Sequence, residues 1–338
     1  MEQALYHPAH GYYSNGRASI GRKGDYFTNV SVGPLFGQLW AAQFAEIWRN
    51  LENSDSRREQ GIDNFTIVEQ GAHDGAFARD VLMAMREKSP ECFSAMRYSI
   101  VEPFSIWQDR QSKTLQEFGS RVQWRPSLEE LEPFTGIHFS NELLDAMPMD
   151  LRGKLVGFED GKFVFIAHSD KSDAKSAAFD WIDSLAEKLE RGFVIAVDYG
   201  FSRAEFREVV QARAQHRLLD SPFDQIGDAD ITMHVNWTDI AERAETNGLR
   251  VAGFTDQHHF ITGILAELGR GGSPEPPAGD WGQSPLPAPK ARRALQTLLH
   301  PEMLGRAFQV LALSKDVDRV EPLAGFSFAR DPRSVLGI

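Results

Sequence analysis

The chain has 338 residues, 42% of them hydrophobic, with 36 Lys and Arg against 48 Asp and Glu for a formal net charge of −12. That hydrophobic content supports a folded core of one large domain or two ordinary ones and excludes global disorder. The negative balance leaves no overall basic footprint for displacing counterions from phosphates, so no nucleic-acid partner is expected.

The single cysteine, Cys92, can form neither an intramolecular disulfide nor a cysteine-based zinc cluster. Met1 to His10 lacks a basic region followed by an apolar stretch. Nowhere do roughly 18 consecutive apolar residues suggest a membrane span. The expectation is a soluble, cytoplasmic protein without membrane insertion.

In chain order, residues 1–60 read as an N-terminal segment and a helix packing on the core. Residues 61–338 read as the main domain, with insertions at about 150–176, 201–236 and 257–304. Gly21, Gly24, Asp25 and Thr28 form a polar loop, either a lid over a ligand or an ordinary connection. Pro34 opens PLFGQLWAAQFAEIWRNL, in which Phe36, Trp40, Phe44, Ile47, Trp48 and Leu51 share one face at helical spacing, so a core-packing helix is predicted.

Residues 64–69 (NFTIVE) are a β-branched run followed by Gly71, Gly75 and the helical pattern AFARDVLMAMREK. The pattern recurs at 97–102 (RYSIVE) with a helix over 105–118. Further strands are predicted at 121–124, 136–141 and 193–198, then a helix over 237–247 and strands at 249–254 and 307–315. This alternation implies an α/β fold, a seven-stranded parallel sheet with helices on both faces. LVGFEDGKFVFI is a hairpin around Asp160-Gly161, 201–236 is a long polar excursion, and 270–289 is a Pro/Gly loop expected to be mobile.

Glu69-Gln-Gly-Ala-His-Asp-Gly75 lies where the first strand turns into a helix, so its backbone N–H groups can face a polar ligand. The plainer alternative is that its glycines serve only the tight turn. Glu102 ends the second strand 27 residues after Gly75, where nucleotide-binding α/β folds place an acid for ribose hydroxyls; a solvated acid in a turn is the alternative. The spacing Gly71-x-x-x-Gly75 departs from the G-x-G-x-x-G of dinucleotide sites. An acid at Glu69 suits a ligand with an ammonium group and no phosphate, which favours S-adenosylmethionine over NAD.

Leu5-Tyr-His-Pro-Ala-His-Gly-Tyr-Tyr13, Gly24-Asp-Tyr-Phe-Thr28, Glu69 to Gly75, Asn141-Glu-Leu-Leu-Asp-Ala-Met-Pro148, Asp198-Tyr-Gly200 and Asp230-Ile-Thr-Met-His-Val235 occur in this order. Together they resemble the MidA-like family, related to the mitochondrial complex I assembly methyltransferase, within the seven-stranded class I methyltransferases. The resemblance implies a Rossmann-like sheet, S-adenosyl-L-methionine as cofactor, and methylation of an arginine on a partner protein such as a respiratory-complex subunit. It implies a donor site at Glu69, Gly71, Gly75 and Glu102, with Gly24 and Asp25 closing over it. It also places Asn141 and Glu142 beside the transferable methyl, and implies that the insertions form a substrate-side subdomain.

The residues support an independent reading of the fourth strand, whose C-terminal end faces the crevice of an open α/β sheet. Glu142 and Asp145 are expected to be close there. Carboxylates so placed hold a planar guanidinium by bidentate hydrogen bonds and orient one nitrogen toward the donor. The alternative has Asn141 and Asp145 capping a turn and Glu142 merely solvated. Asp198 either caps the loop or contacts substrate. His216, His234, His258 and His259 lack metal-ligand spacing, so no metal is expected.

Two departures from the family pattern stand out. His73 occupies the middle-glycine position of the loop, and Glu208-Val-Val210 replaces Gly-Thr-Leu ahead of Arg213 and His216, a segment expected to touch substrate. These departures keep a second hypothesis open, a non-catalytic assembly factor retaining the fold. A nicotinamide-dependent oxidoreductase is the third.

Overall fold

The segments richest in β-branched and aromatic residues pair into one central sheet. In the computed structural model, residues 1–18, 21, 24, 27–53, 64–149, 151, 154–167, 176–270, 289–317 and 322–338 are described. The strands are β1 (Phe65–Gln70), β2 (Met96–Val101), β3 (Val122–Arg125), β4 (Phe134–Asn141), β5 (Lys154–Glu159), β6 (Lys162–Ala167), β7 (Leu189–Phe201), β8 (Val210–Ala214), β9 (Arg217–Leu218), β10 (Asp230–Met233), β11 (Val235–Asn236), β12 (Arg250–Asp256) and β13 (Phe308–Lys315). The helices are α1 (Glu2–Tyr6), α2 (Leu35–Asn53), α3 (Ala76–Lys88), α4 (Pro90–Ala95), α5 (Ser105–Thr114), α6 (Ala177–Lys188), α7 (Trp237–Thr246), α8 (Gln257–Arg270), α9 (Pro289–Leu299) and α10 (Pro332–Leu336).

All seven expected strands are present, in the order β12-β13-β7-β4-β1-β2-β3. The two-residue β11 adds to the end of β7, pairing Val235 with Gly200. β4, β1, β2, β3 and β7 are mutually parallel, but β13 runs antiparallel to both β12 and β7, which corrects the all-parallel expectation. Two helices, α8 and α9, separate β12 from β13, and they return the chain to the edge where β12 finished. An apolar run carries no direction, so its sequence could not reveal this.

Two apolar layers sandwich the sheet. On one face, Trp40 of α2 lies 4.7 Å from Phe139 of β4 and 4.6 Å from Phe260 of α8, ring centre to ring centre; Phe77 of α3 stacks on Phe139 at 4.6 Å. This is the face the α2 periodicity foretold. On the other, Trp181, Ile182 and Leu185 of α6 pack with Trp237, Ile240 and Ala241 of α7. α6 escaped the sequence reading, although Trp181, Ile182 and Leu185 have helical spacing.

The excursion at 201–236 is more ordered than its polarity suggested. It forms a three-stranded antiparallel sheet, β10-β8-β9, whose Ala212, Ala214 and Ile231 bury against Leu5, Tyr12 and Trp107. β8 buries two residues, β10 three and β9 none, too few for the alternation to stand out. The β5–β6 hairpin turns at Asp160 and Gly161 as expected, both with positive φ. Residues 271–288, most of the expected Pro/Gly loop, lie outside the described residues. Among the described residues no helix is long and apolar enough to cross a membrane.

Candidate functional site: two cavities at the strand ends

Parallel strands deliver their C-terminal ends to one edge, where loops can converge. After β1 the chain turns through three left-handed residues, Gly71 (φ 85°), His73 (φ 47°) and Gly75 (φ 80°), before α3 begins. For glycine this conformation is free, while for histidine it costs roughly 1–2 kcal/mol. His73 nevertheless takes the backbone a glycine would take. Its ring packs 4.5 Å from that of Trp107, and its carbonyl accepts a 2.9 Å hydrogen bond from Gln111 Nε2. Side-chain packing thus holds the loop in a glycine-like path.

Over this loop lies a cavity of about 670 Å³ lined by Glu69, Gly71, His73, Glu102, Asn141 and Glu142 among others, within the range of about 300–1,000 Å³ usual for small-molecule sites. Glu69 is buried, and its Oε2 accepts a 2.8 Å bond from the Tyr98 hydroxyl. Burial pushes its pKa up to about 8. Glu102 Oε1 accepts from the Phe104 N–H at 3.1 Å and its Oε2 from Gln111 Nε2 at 3.0 Å; burial raises this carboxyl to about 7. Gln111, which sequence reasoning missed, thereby ties the glycine loop to Glu102.

Among the described residues neither carboxyl has an ionic partner that would restore its ordinary pKa, and each oxygen retains a lone pair beyond its described bond. A ligand with cationic groups at one end and vicinal hydroxyls further along fits this donor set. Of the expected lid, Gly21 and Thr28 line the cavity, joined by Val30 and Ser31 just beyond it. Gly24 instead closes a turn, its N–H bonding to the Gly21 carbonyl at 2.9 Å, and Asp25 lies outside the described residues.

At the end of β4, Glu142 adopts φ 54° and its N–H bonds to the Val197 carbonyl at 2.9 Å. The turn is capped by Asp198. Its Oδ2 accepts from the N–H groups of Leu143, Leu144 and Asp145 at 3.1, 2.8 and 3.2 Å, and its Oδ1 from the Tyr199 N–H at 2.7 Å. Of the two readings of Asp198, the structure takes the cap. Asn141 bonds to side chains rather than to the turn backbone, and Glu142 lines the site half-buried rather than fully solvated.

Glu142 Oε1 accepts from Asn141 Nδ2 at 2.8 Å and from the Asn29 N–H at 3.4 Å, while Asn29 Nδ2 donates to Asn141 Oδ1 at 3.0 Å. A second cavity of about 230 Å³ is lined by Glu142, Asp145 and Asp230, with Tyr13, Tyr199 and Thr232 between them and Arg213, His216 and His234 also in its wall. It shares Tyr13 and Glu142 with the larger cavity. Burial first, then repulsion from neighbouring carboxylates, raises Glu142 to about 8 and lifts Asp145 well above the carboxylate range. The Tyr13 hydroxyl donates to Asp230 Oδ1 at 2.6 Å.

The structure thus brings Asn141, Glu142 and Asp145 together as the spacing implied, and adds Asn29, Tyr13 and Asp230. The last two lie inside motifs that had been recognised without a role. Asn29 follows Thr28 directly, and no local pattern marks it.

Residues 39–156 and 159–255 match the family described as "Putative S-adenosyl-L-methionine-dependent methyltransferase". The chain belongs to this family. S-adenosyl-L-methionine is its cofactor, and the nicotinamide alternative falls away. Among curated proteins, "Protein arginine methyltransferase NDUFAF7 homolog, mitochondrial" of Drosophila melanogaster is 26% identical over 323 residues, 79% of this chain and 70% of its own length. The human protein of that name is 20% identical over 364 residues, 93% of this chain and 78% of its own. A crystal structure of a "likely methyl transferase" from Burkholderia thailandensis bound to S-adenosyl-homocysteine superposes with a TM-score of 0.79 at 27% identity, covering 98% of this chain and 90% of that one.

Proposed function

We propose that this methyltransferase acts on an arginine side chain of a partner protein, with the donor in the larger cavity and the guanidinium in the smaller. The observation that carries this reading is the trio Glu142, Asp145 and Asp230 around one small cavity that shares Glu142 with the larger one. Buried Asp145 and Asp230 and half-buried Glu142 repel one another when ionised and lose hydration. A guanidinium offsets both penalties, because it stays charged at all accessible pH and offers five N–H donors in a planar fork. An ammonium is a point charge and satisfies fewer of these oxygens. The names of the fly and human relatives support the same acceptor.

When bound, S-adenosylmethionine supplies a methyl group on a positively charged sulfur. In this proposal Glu69 offsets the donor's cationic end, and Glu102 accepts from the ribose hydroxyls through its remaining lone pairs. Gly71 allows close approach of the backbone, while Gly75 lies outside the cavity lining and serves the left-handed turn into α3. Asn29 and Asn141 hold Glu142 by its Oε1, leaving Oε2 for the acceptor. As the acceptor nitrogen gains its bond to carbon it must lose one proton. Glu142, raised to about 8 in the ligand-free protein, is driven to its ionised form by the guanidinium bound beside it; that carboxylate accepts the proton and passes it to solvent. Asp145 and Asp230 hold the rest of the guanidinium in line.

The test is mass-spectrometric detection of methyl transfer to arginine peptides and to their lysine counterparts, with wild-type protein and Glu142→Gln. Transfer to arginine alone, lowered at least a hundredfold in the variant with donor affinity nearly intact, is the expected result. Equal transfer by the variant removes Glu142 from the mechanism. A respiratory-complex subunit is the first full-length acceptor to try, given the resemblance to complex I assembly proteins.

A further inference from the structure

The β5–β6 hairpin stands apart from the central sheet as a two-stranded ribbon, a form only marginally stable alone in water. Directly opposed residues of such a ribbon share a face, so Val156, Phe158, Phe163 and Phe165 lie on one side and Leu155 and Ile166 on the other. Alternation normally leaves one face polar, but here both are apolar and both are open. Phe158 is 65% exposed, Val156 58% and Leu155 53%. Scattered exposed apolar side chains are ordinary in a soluble protein; a cluster of this kind marks an interaction surface.

The location of the cluster says what it binds. Phe223 packs against Phe163 and Phe165, with ring centres 6.1 and 4.8 Å away. The segment carrying Phe223 runs seven residues further to Asp230, a wall of the acidic cavity. Elsewhere on that cavity, His234 meets the ring of exposed Phe201 edge-on at 5.1 Å. An acidic hole is thus connected to an apolar platform. Its complement is a segment with a basic side chain flanked by large apolar ones. A second copy of this chain and an anionic membrane both share its negative charge, which disfavours them.

We propose that the β5–β6 hairpin is the docking arm for the acceptor protein, gripping apolar side chains that flank the target arginine. The proposal rests on the arginine reading of the acidic cavity. Four fluorescent peptides separate the two: arginine or lysine at the centre, flanked either by Leu and Phe or by Gly and Ser. Each is assayed for binding by anisotropy and for methyl transfer, with wild type, Phe158→Ser and the double variant Phe158→Ser/Phe163→Ser. Phe158 is the most exposed of these side chains, so the single variant keeps the fold.

The expected result is that both Leu/Phe-flanked peptides bind wild type at least tenfold more tightly than their Gly/Ser counterparts. The variants should erase that difference, and for the arginine peptide the effect should appear in KM rather than kcat. Equal binding of the two flanks, or a preference that survives in the variants, overturns the docking arm. Loss of transfer to every arginine peptide with the flank preference intact overturns the arginine reading and leaves the arm standing. Sedimentation of wild type as a dimer, or pelleting with phosphatidylcholine vesicles, reversed in either case by Phe158→Ser, would assign the hairpin to another occupant and overturn the proposal.

Discussion

The Tyr13 hydroxyl reaches across 217 residues of chain to donate a 2.6 Å hydrogen bond to Asp230 Oδ1. The bond joins the N-terminal segment to β10 in the wall of the acidic cavity, and Tyr13 lines the larger cavity as well. A hydrogen bond to a charged group contributes about 1.5–3 kcal/mol. Tyr13→Phe is therefore expected to lower kcat/KM for an arginine acceptor by about 10- to 100-fold, with a smaller effect on donor affinity. Steady-state kinetics with both substrates varied will check this, and an unchanged acceptor KM and kcat would show that the bond plays no part in acceptor binding.

Asp198 alone satisfies four backbone N–H groups, three in the turn after Glu142 and one in β7. Removing that acceptor leaves buried donors without partners, at about 1–3 kcal/mol each. Asp198→Ala is expected to lower the thermal midpoint by several degrees and to abolish transfer through loss of the turn. A thermal melt matching wild type would mean that the turn does not depend on this cap.

Gln111 holds both the His73 carbonyl and Glu102 Oε2. Glu102→Ala is expected to weaken donor binding by about 10- to 100-fold through lost ribose hydrogen bonds. Gln111→Ala should weaken it less, because Glu102 keeps its bond from the Phe104 N–H. Calorimetric titration with S-adenosylmethionine and S-adenosylhomocysteine tests both. The reverse order would place the main contribution in the loop rather than in the acid.

The raised carboxyls also predict how the protein responds to pH. Glu69 and Glu142, both near 8, stay protonated in the folded ligand-free protein over a range where the unfolded chain has released the proton. Folding stability should therefore fall as pH rises from the ordinary carboxylate value near 4.5 to about 8, and these two groups contribute no further slope above that. Affinity for a cationic donor should move oppositely, rising toward pH 8 as Glu69 ionises. Melting curves at pH 6 and 9 and titrations at the same two values will show both trends. Glu69→Gln should flatten the affinity trend and reduce the stability slope to the share that Glu142 keeps; a variant with the wild-type slope would locate the titration elsewhere.

Much of the architecture was legible in the residues themselves, because the strand and helix patterns are local. The runs at 64–69, 97–102 and 193–198, the apolar face of α2 and the Asp160-Gly161 turn all follow from neighbouring side chains and backbone preferences. The candidate donor residues Glu69, Gly71, Gly75 and Glu102 were legible for the same reason, since strand ends and glycine turns are written locally. The antiparallel course of β13 was not, because an apolar run has no polarity. Nor was the sheet within 201–236, whose buried positions only make sense against Leu5, Tyr12 and Trp107 from distant parts of the chain.

The acidic cavity divides in the same way. Asn141, Glu142 and Asp145 stand four residues apart at most, and their meeting at the end of β4 was implied by spacing alone. Asn29, Tyr13, Asp198 and Asp230 reach the same place from separate segments. Whether a carboxylate there caps a turn or faces a cavity depends on which backbone N–H groups surround it, and those are supplied by tertiary packing. Sequence determined which chemical groups were available at the strand ends; only the folded chain decided that Asp198 would hold the turn and that Glu142, Asp145 and Asp230 would share a cavity.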